Sequence, residues 1–170
     1  MKSLLAVIDM QKDFIDGSLG TKEAQGIVSA VVKRINEYKA AKKDVVFTLD
    51  THSEDYLDTA EGKKLPVKHC IKGTEGWCLD EALEGFEGKR FEKPTFGSIS
   101  LAEWVKKEGY DEIELVGLCT DICVISNALM LKAYLPEAKL SVNAACCAGV
   151  TVTSHNNALE AMKMCQIDII

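Results

Sequence analysis

Short apolar runs alternate along the chain with longer segments in which apolar residues recur every three or four positions. Residues 4–8 and 45–49 are continuous apolar or β-branched runs, which are typical of strands buried on both faces. Between these runs, four residues recur at helical spacing and predict the buried face of an amphipathic helix: Ile27, Val31, Ile35 and Tyr38. The chain therefore begins with a predicted strand, helix and strand.

The same alternation continues to the end of the chain. Further strands are predicted at 89–93, 112–116, 140–143 and 167–170, and further helices at 100–107, 121–134 and 152–164. The helix at 121–134 has four apolar residues on one face: Ile122, Ile125, Leu129 and Ala133. Strands that alternate with helices in this way predict a three-layer α-β-α fold with a mostly parallel, six-stranded, Rossmann-like sheet. Because no repeat, linker or composition break interrupts the pattern, we expect a single domain over residues 1–170.

The charge balance limits the classes of partner. The chain has 20 basic and 26 acidic side chains and a formal net charge of -6, opposite in sign to that of a typical nucleic-acid or anionic-membrane binder. The first apolar run, residues 4–8, is too short for the core of a signal peptide. We therefore expect a soluble, cytoplasmic protein that binds neither nucleic acid nor membrane.

The seven cysteines do not form a recognisable framework. Their number is odd, and no paired Cys-x-x-Cys elements indicate a structural zinc site. Free cysteine is among the most buried residue types, so Cys146 and Cys147 are expected in the core. The sequence assigns no role to Cys70, Cys78 or Cys165, although Cys70 is expected to pack inward.

Chemically active side chains follow the ends of the predicted strands. Asp9 follows the first strand, Asp50 and His52 follow the second, Lys93 ends the third, and residues 117–123 follow the fourth. Ligands of open parallel sheets bind beyond the carboxyl ends of the strands, where the strand order reverses. The sequence therefore predicts that an acid, metal-type ligands, a cation and a thiol converge at one edge of the sheet.

Several common catalytic motifs are absent. The first turn after a strand, residues 9–14, contains no glycine, which disfavours a dinucleotide-binding fold. The chain also lacks the motifs of P-loop enzymes, serine hydrolases with a nucleophile elbow, and HExxH zinc proteases.

Cys123 is the candidate nucleophile. It lies where a predicted strand ends and a helix begins, with Thr120 or Asp121 as the expected helix cap. The positive end of a helix dipole lowers the pKa of a thiol, and backbone N–H groups in such a turn can stabilise an oxyanion. Asp9 and Lys93 could supply a proton acceptor and electrostatic support. A buried structural cysteine, a capping aspartate and a solvated lysine remain the alternatives.

A second group of residues has the composition of a metal site. The long segment 50–78 shows no core periodicity, and it contains Asp50, His52 and His69. Two imidazoles and a carboxylate suit zinc, iron(II) or manganese, with Glu61 as the candidate fourth ligand and water as the alternative. The remaining histidine, His155, is expected to be a hydrogen-bonded structural residue at a helix start.

Together these segments resemble a known family. In order, they are VIDMQKDF at 7–14, TLDTH at 48–52, LPVKHC at 65–70, FEKP at 91–94, GLCTDICV at 117–124, and the stretch 148–162. The chain is similar over nearly its whole length to the isochorismatase-like cysteine hydrolases, and among them to the nicotinamidase and pyrazinamidase group. Segment 94–99 departs from the family pattern and looks shortened, which leaves the substrate less determined than the reaction class.

The resemblance implies a catalytic triad of Asp9, Lys93 and Cys123. In such a triad the aspartate takes the thiol proton, the lysine steadies the thiolate, and the cysteine attacks an amide carbonyl to give a thioester and ammonia. The family also has a cis peptide bond that would fall between Leu118 and Cys119. This bond would turn the N–H groups of Cys119 and Cys123 toward the oxyanion.

The resemblance also implies a substrate and a cofactor. In nicotinamidases a metal held by the matching residues, here Asp50, His52 and His69, coordinates the pyridine nitrogen, and zinc is the metal most expected. Phe14 and Trp77 would form an aromatic wall beside the ring. The implied reaction is hydrolysis of nicotinamide to nicotinic acid and ammonia, as in pyridine nucleotide salvage.

Two other interpretations of the function remain possible. The triad could act on another small amide or carbamoyl compound, or the chain could be an inactive binding or redox-responsive protein with the same fold. The expected partner is a small-molecule amide, and the sequence does not decide whether the chain forms a homo-oligomer.

Overall fold

Six strands form one sheet in which every neighbouring pair is parallel. In the computed structural model, which describes residues 1–170, the strands are β1 (Ser3–Ile8), β2 (Asp44–Asp50), β3 (Lys89–Lys93), β4 (Glu112–Leu118), β5 (Lys139–Ala148) and β6 (Asp168–Ile169). Their spatial order is β3-β2-β1-β4-β5-β6, so the chain changes direction across the sheet between β1 and β4. This junction is the place where open parallel sheets bind ligands.

Helices cover both faces of the sheet, as predicted. They are α1 (Lys12–Ile15), α2 (Lys22–Ala40), α3 (Ala60–Lys64), α4 (Glu81–Glu84), α5 (Ile99–Glu108), α6 (Ile125–Tyr134) and α7 (Val152–Met164). Helices α5, α6 and α7 contribute to one hydrophobic cluster, and α2 and α4 contribute to the other. No helix, α2 included, combines the length and the apolar character needed to span a membrane.

The sheet is buried on both sides, which explains its continuous apolar runs. Along β1, alternate residues enter opposite clusters, so that Ala6 packs against α5–α7 while Val7 packs on the α2 side. The adjacent cysteines divide in the same way, with Cys146 on the α2 side and Cys147 on the other, each only 5% exposed. The prediction that both cysteines are core residues is confirmed.

The long helix α2 follows its predicted pattern. The four residues at helical spacing between β1 and β2 are all buried: Ile27, Val31, Ile35 and Tyr38. The hydroxyl of Thr21 accepts a hydrogen bond from the N–H of Ala24 at 3.0 Å, which caps the helix at its first turn.

The helix predicted at 121–134 begins differently from the expectation. A π-helical turn, Thr120–Val124, precedes α6, and no side chain caps it. The prediction that Thr120 or Asp121 is the cap is wrong, because both side chains bind the β5–α7 junction instead. The hydroxyl of Thr120 lies 2.7 Å from Nδ1 of His155, and the carboxylate of Asp121 accepts the N–H of Val150 at 3.2 Å. His155 is therefore a hydrogen-bonded residue, as expected.

The apolar stripe predicted for this helix is only partly covered. Leu129 is 39% exposed, whereas Ala128 and Leu131 fill the core beside the buried Asn127. Helix α6 is apolar on two neighbouring faces, and periodicity does not determine which of the two packs against the sheet.

Candidate active site

Three elements bring Asp9, Lys93 and Cys123 together. Asp9 directly follows β1, Lys93 is the last residue of β3, and Cys123 lies in the turn after β4. Nζ of Lys93 is 2.7 Å from Oδ2 of Asp9 and 3.5 Å from Sγ of Cys123. All three residues are buried, so these charges and the thiol interact with little screening by water.

Thr48 holds Asp9 in place from the neighbouring strand. Its Oγ1 accepts the backbone N–H of Asp9 at 3.1 Å and donates to Oδ1 of the same residue at 2.6 Å. Asp9 has a φ of 45°, in the left-handed region that non-glycine residues seldom adopt. The two hydrogen bonds fix this turn and leave Oδ2 facing Lys93.

Lys93 remains a cation in this buried position. Burial lowers its pKa, but the nearby charges of Asp9, Cys123 and Asp50 outweigh that effect and raise the pKa above its ordinary value. Its ammonium also donates to the carbonyl of Thr95 at 3.0 Å and lies 3.4 Å from Oδ1 of Asp50. The lysine therefore compensates two carboxylates and faces the sulfur as well.

Burial disfavours ionisation of the Cys123 thiol. Burial raises its pKa well above the usual value, and the carboxylate of Asp9 adds to the rise, while Lys93 opposes it. The sequence-based expectation of a lowered pKa is wrong, because desolvation in the closed turn outweighs the helix dipole. Burial also raises the pKa of Asp9, although the charge of Lys93 opposes this rise. A carboxylate with a raised pKa is a better acceptor for the thiol proton.

The turn that holds the nucleophile has a specific backbone. The peptide bond between Leu118 and Cys119 is cis, as the family resemblance implied. Gly117, just before it, has a φ of 118°, and a Cβ there would collide with the carbonyl oxygen of Ile8. Only glycine therefore lets β4 approach β1 closely enough to place Cys123 beside Asp9.

Four side chains beside the triad form a cluster of metal-type donors. One ligand atom from each of Asp50, His52, Glu61 and His69 lies within 4.8 Å of the other three. The Nε2 atoms of His52 and His69 are 3.0 Å and 3.4 Å from Oδ2 of Asp50. Each Nε2 is also 3.7 Å from Oε1 of Glu61. The structure thus brings the predicted fourth residue, Glu61, into the same group.

Neighbouring residues orient these donors. Nδ1 of His69 donates to the carbonyl oxygen of Val67 at 2.8 Å, which turns Nε2 toward Asp50 and Glu61. The side chain of Gln11 is fully buried and holds the backbone of Asp50 through two hydrogen bonds. It accepts the N–H of Asp50 at 2.7 Å and donates to the carbonyl of Asp50 at 2.8 Å. The sequence analysis did not identify Gln11, although it lies in the turn that follows β1.

Two more residues support the histidines and were also missed. The ring of the fully buried Tyr56 packs against His52 and His69, with centroid distances of 4.7 Å and 4.9 Å. Oδ2 of Asp13 accepts the N–H of Cys70 at 2.8 Å, which holds the chain immediately after His69. Cys70 itself packs inward and is fully buried, as expected.

Asp50 connects the two groups. Its Oδ2 faces the histidines, and its Oδ1 faces Lys93. Burial raises the pKa of Asp50, but hydrogen bonds from His52 and His69 and the charge of Lys93 outweigh burial and hold the pKa below its usual range. The carboxylate is therefore ionised, as a metal ligand must be.

A cavity of about 210 Å³ opens onto both groups. Its lining includes Cys123, Asp50, Glu61 and His69, and most of its other residues are apolar. Phe14 lines this cavity, with its ring centroid 5.5 Å from that of His69.

The structure does not place Trp77 in the cavity. Its Nε1 donates to Oγ1 of Thr51 at 2.9 Å, and its side chain lines a separate surface pocket with Leu49 and Leu79. The expectation of an aromatic wall from Phe14 and Trp77 is therefore corrected: the second aromatic residue of the cavity is Phe96. Phe96 lies in segment 94–99, which departs from the family pattern, and the sequence analysis did not select it.

Known proteins are similar to this chain in sequence and in fold. Nicotinamidase/pyrazinamidase of Mycobacterium tuberculosis is 26% identical, over 98% of this chain and 97% of the relative. The crystal structure of nicotinamidase/pyrazinamidase from Bacillus subtilis superimposes with a TM-score of 0.86 and 27% identity, over 99% of both chains. Pyrazinamidase of Pyrococcus horikoshii, solved in complex with zinc, has the same fold, with a TM-score of 0.85, 24% identity, and coverage of 100% of this chain and 99% of its own.

The family assignment follows from a match that covers almost the whole chain. The sequence profile of the isochorismatase domain matches residues 3–170, a span that contains all six strands and every residue of the site. The chain therefore belongs to the isochorismatase family.

Proposed function

We propose that the protein is a metal-dependent cysteine amidohydrolase that converts nicotinamide to nicotinic acid and ammonia. The observation that carries this proposal is the joint placement of two groups at one cavity. Cys123, Lys93 and Asp9 are joined by contacts of 3.5 Å and 2.7 Å, and the four metal-type donors lie beside them. The names of the relatives described above support the same reaction.

The first half of the reaction forms a thioester. Asp9 takes the proton of Cys123, and the sulfur attacks the carboxamide carbon while Lys93 stabilises the negative charge. The backbone N–H groups of Cys119 and Cys123 are the proposed donors to the oxyanion, and each such donor is worth about 3 kcal/mol in well-studied hydrolases. The C–N bond then breaks as Asp9 returns the proton to the nitrogen, and ammonia leaves.

The second half of the reaction releases the acid. Asp9, again ionised, takes a proton from a water molecule, and the resulting hydroxide adds to the thioester carbonyl. The C–S bond breaks, the carboxylic acid leaves, and the proton on Asp9 returns to the sulfur. Because Asp9 acts in both halves, its carboxylate must stay close to Cys123, and its two hydrogen bonds with Thr48 support this role.

The donor cluster fits a divalent metal ion. Two imidazole nitrogens and two carboxylate oxygens are a set that zinc accepts, and iron(II) and manganese(II) also bind such sets. Asp50, His52, Glu61 and His69 would hold the ion. When bound, the ion supplies a Lewis acid for the ring nitrogen of the substrate. Phe14 lies in the wall of the cavity and would pack against that ring.

Ammonia release from nicotinamide tests the proposed reaction. Cys123→Ala should lower the rate by at least about a thousandfold, because the nucleophile is lost. Cys165→Ala is the matched control, since Cys165 is an exposed thiol outside the cavity, and its activity should equal that of the unmodified protein. Full activity of Cys123→Ala would disprove the assignment of the nucleophile.

A substrate panel separates nicotinamide from other amides. Nicotinamide, pyrazinamide, benzamide and a carbamoyl amino acid should be compared with the metal-loaded protein. We expect nicotinamide and pyrazinamide, which have a ring nitrogen, to be hydrolysed much faster than benzamide, which has no ring nitrogen to bind a metal. A preference for the carbamoyl compound by a protein that retains no metal would favour the alternative amidase reading.

A further inference from the structure

Three loops place large apolar side chains at the mouth of the cavity. Leu65 follows α3, Phe96 lies between β3 and α5, and Val150 lies between β5 and α7. They are 39%, 41% and 53% exposed, and all three line the cavity. We call these residues the apolar rim. Large apolar side chains that are exposed together at a concave site usually mark a binding surface.

The backbone of each rim residue is fixed to the site. The hydroxyl of Tyr56, whose ring packs on both histidines, donates to the carbonyl of Leu65 at 2.9 Å. The N–H of Val150 donates to the carboxylate of Asp121, in the nucleophile turn, at 3.2 Å. These hydrogen bonds hold the loops in place, so the side chains of Leu65 and Val150 remain exposed at the cavity in the folded protein.

Asn127 holds the third rim residue. Its Nδ2 donates to the carbonyls of Phe96 and Cys123 at 3.1 Å and 2.8 Å, and its Oδ1 accepts the N–H of Ser98 at 2.9 Å. Asn127 is only 1% exposed, so it satisfies these backbone groups where water does not reach. The position of Phe96 is thus set relative to the nucleophile.

The charged side chains that line the cavity include no lysine or arginine. The acidic side chains of the lining, Asp50 and Glu61, belong to the donor cluster. A negatively charged substituent at the mouth would lose hydration and find no cation to replace it. An uncharged apolar substituent would instead bury surface against Leu65, Phe96 and Val150.

We propose that the apolar rim is a second subsite, which binds an uncharged apolar group on the part of the substrate that points away from the amide. The direction of this group rests on the proposed function. In nicotinamide the ring nitrogen and the carboxamide-bearing carbon flank carbon 2, and both are anchored at the bottom of the cavity. Carbon 5 lies opposite carbon 2 and therefore points to the mouth. The substrate class includes nicotinamides with short apolar groups at carbon 5.

Hydrolysis of three amides tests the subsite. The ratio kcat/KM should be measured for nicotinamide, 5-propylnicotinamide and 5-carboxynicotinamide. We expect the propyl compound to be hydrolysed at least as efficiently as nicotinamide, and the carboxylate much less efficiently. Phe96→Ala and Val150→Ala should each lower the ratio of kcat/KM for 5-propylnicotinamide to kcat/KM for nicotinamide by about fivefold. A loss of this size is expected when a partly exposed apolar contact with the propyl group is removed.

Ile99→Ala is the matched control. Ile99 is 61% exposed and lies three residues after Phe96, but it does not line the cavity, so this change should leave all three values unaltered. An unchanged propyl preference in both rim variants, or efficient hydrolysis of the carboxylate, would overturn the proposal.

Alkylation of Cys123 tests whether the rim binds apolar groups, even if nicotinamide is not a substrate. Iodoacetamide, N-hexyl-iodoacetamide and iodoacetate each alkylate a thiol: the C–S bond forms, iodide leaves, and buffer takes the thiol proton. Alkylation of Cys123 should be followed by peptide mass spectrometry. The hexyl reagent should react fastest and iodoacetate slowest, and Phe96→Ala and Val150→Ala should reduce the hexyl advantage, whereas Ile99→Ala should not. A hexyl advantage that survives both rim changes would disprove the subsite independently of the proposed reaction.

Discussion

Single side chains decide whether the reactive groups face each other. Asp9 follows β1 and Asp50 ends β2; Thr48 bonds the carboxylate and the N–H of Asp9, and Gln11 holds the backbone of Asp50. Thr48 thus fixes both the turn and the carboxylate of Asp9, whereas Gln11 fixes the backbone from which the Asp50 carboxylate projects. Polar residues that are fully buried with such partners are expensive to replace, because the remaining groups lose their hydrogen bonds.

Thr48→Val tests the role of this positioning. Valine has the shape of threonine, but it removes the donor to Oδ1 of Asp9 and the acceptor for its N–H. We expect kcat for the proposed amide hydrolysis to fall by about 10- to 100-fold, because Asp9 can rotate away from Cys123. Thr48→Ser keeps the hydroxyl and should restore most of the rate. Equal rates for the valine and serine variants would show that the hydroxyl does not position the acid.

At the scale of elements, a buried ionic network joins α2 to the sheet. Glu114 of β4 receives two hydrogen bonds from Arg34, at 2.8 Å and 2.5 Å, and one each from Tyr38 at 2.9 Å and Asn143 at 3.2 Å. The register of β4 and β5 shifts just beyond this point, between Leu115 and Gly117, so the network lies where the sheet is irregular. It joins α2 to the sheet through polar contacts in addition to the apolar packing of the helix.

This network predicts how stability depends on pH. Burial raises the pKa of Glu114, but hydrogen bonds from Arg34, Asn143 and Tyr38 outweigh burial and lower it from its ordinary value of 4.5. A carboxylate with a lowered pKa in the folded state stabilises the protein above its unfolded pKa, and this stabilisation is lost as the pH falls through the folded pKa. Its contribution should therefore be complete at pH 7 and decline once the pH drops below about 4.5.

Glu114→Gln isolates that contribution. The free energy of unfolding, measured with urea, should fall by about 1–3 kcal/mol at pH 7, because a buried charge-assisted hydrogen-bond network is weakened. The difference in unfolding free energy between the variant and the unmodified protein should shrink as the pH falls below 4.5, the ordinary pKa of a glutamate side chain. A difference that stays constant between pH 7 and pH 3 would mean that Glu114 is not ionised in the folded state.

At the scale of the whole molecule, the donor cluster forms because the segment that follows β2 folds back against the end of that strand. The four donors come from the end of β2, the loop after it, α3, and the segment that follows α3. Two carboxylates are brought together in a largely buried place, where they repel each other. A bound cation would offset that repulsion and link the long 50–78 segment to the sheet.

Metal binding should therefore raise the thermal stability of the fold. After chelation, adding zinc at a hundred times its dissociation constant should stabilise the protein by about 2.7 kcal/mol, visible as a higher midpoint of thermal unfolding. Glu61→Gln should reduce this shift at a given zinc concentration. Glu54→Gln is the control, because Glu54 lies in the same segment but is exposed and pairs with Lys68 at 3.1 Å. The same shift in both variants would exclude Glu61 as a ligand.

Local patterns were sufficient to predict most of the architecture. Strand β3 and helix α7 were predicted with the bounds that the structure shows, because each is a short or amphipathic segment between clear breaks. The short helices α1 and α4 were missed, since four residues are too few to show a helical period. The 50–78 segment was correctly predicted to lack long elements, but its internal order around Tyr56 depends on contacts between residues that are not neighbours in sequence.

The sequence by itself determined the order of strands and helices, the residues that follow each strand, and therefore which acid, cation, thiol and metal-type donors could meet. These properties depend on local spacing, which periodicity and motifs record directly. Only the tertiary structure decided that desolvation raises the pKa of Cys123, that Phe96 and not Trp77 lines the cavity, and that Thr48, Gln11 and Asn127 hold the site. These outcomes depend on burial and on hydrogen bonds between distant segments, and such interactions are not defined until the strands have taken their places in the sheet.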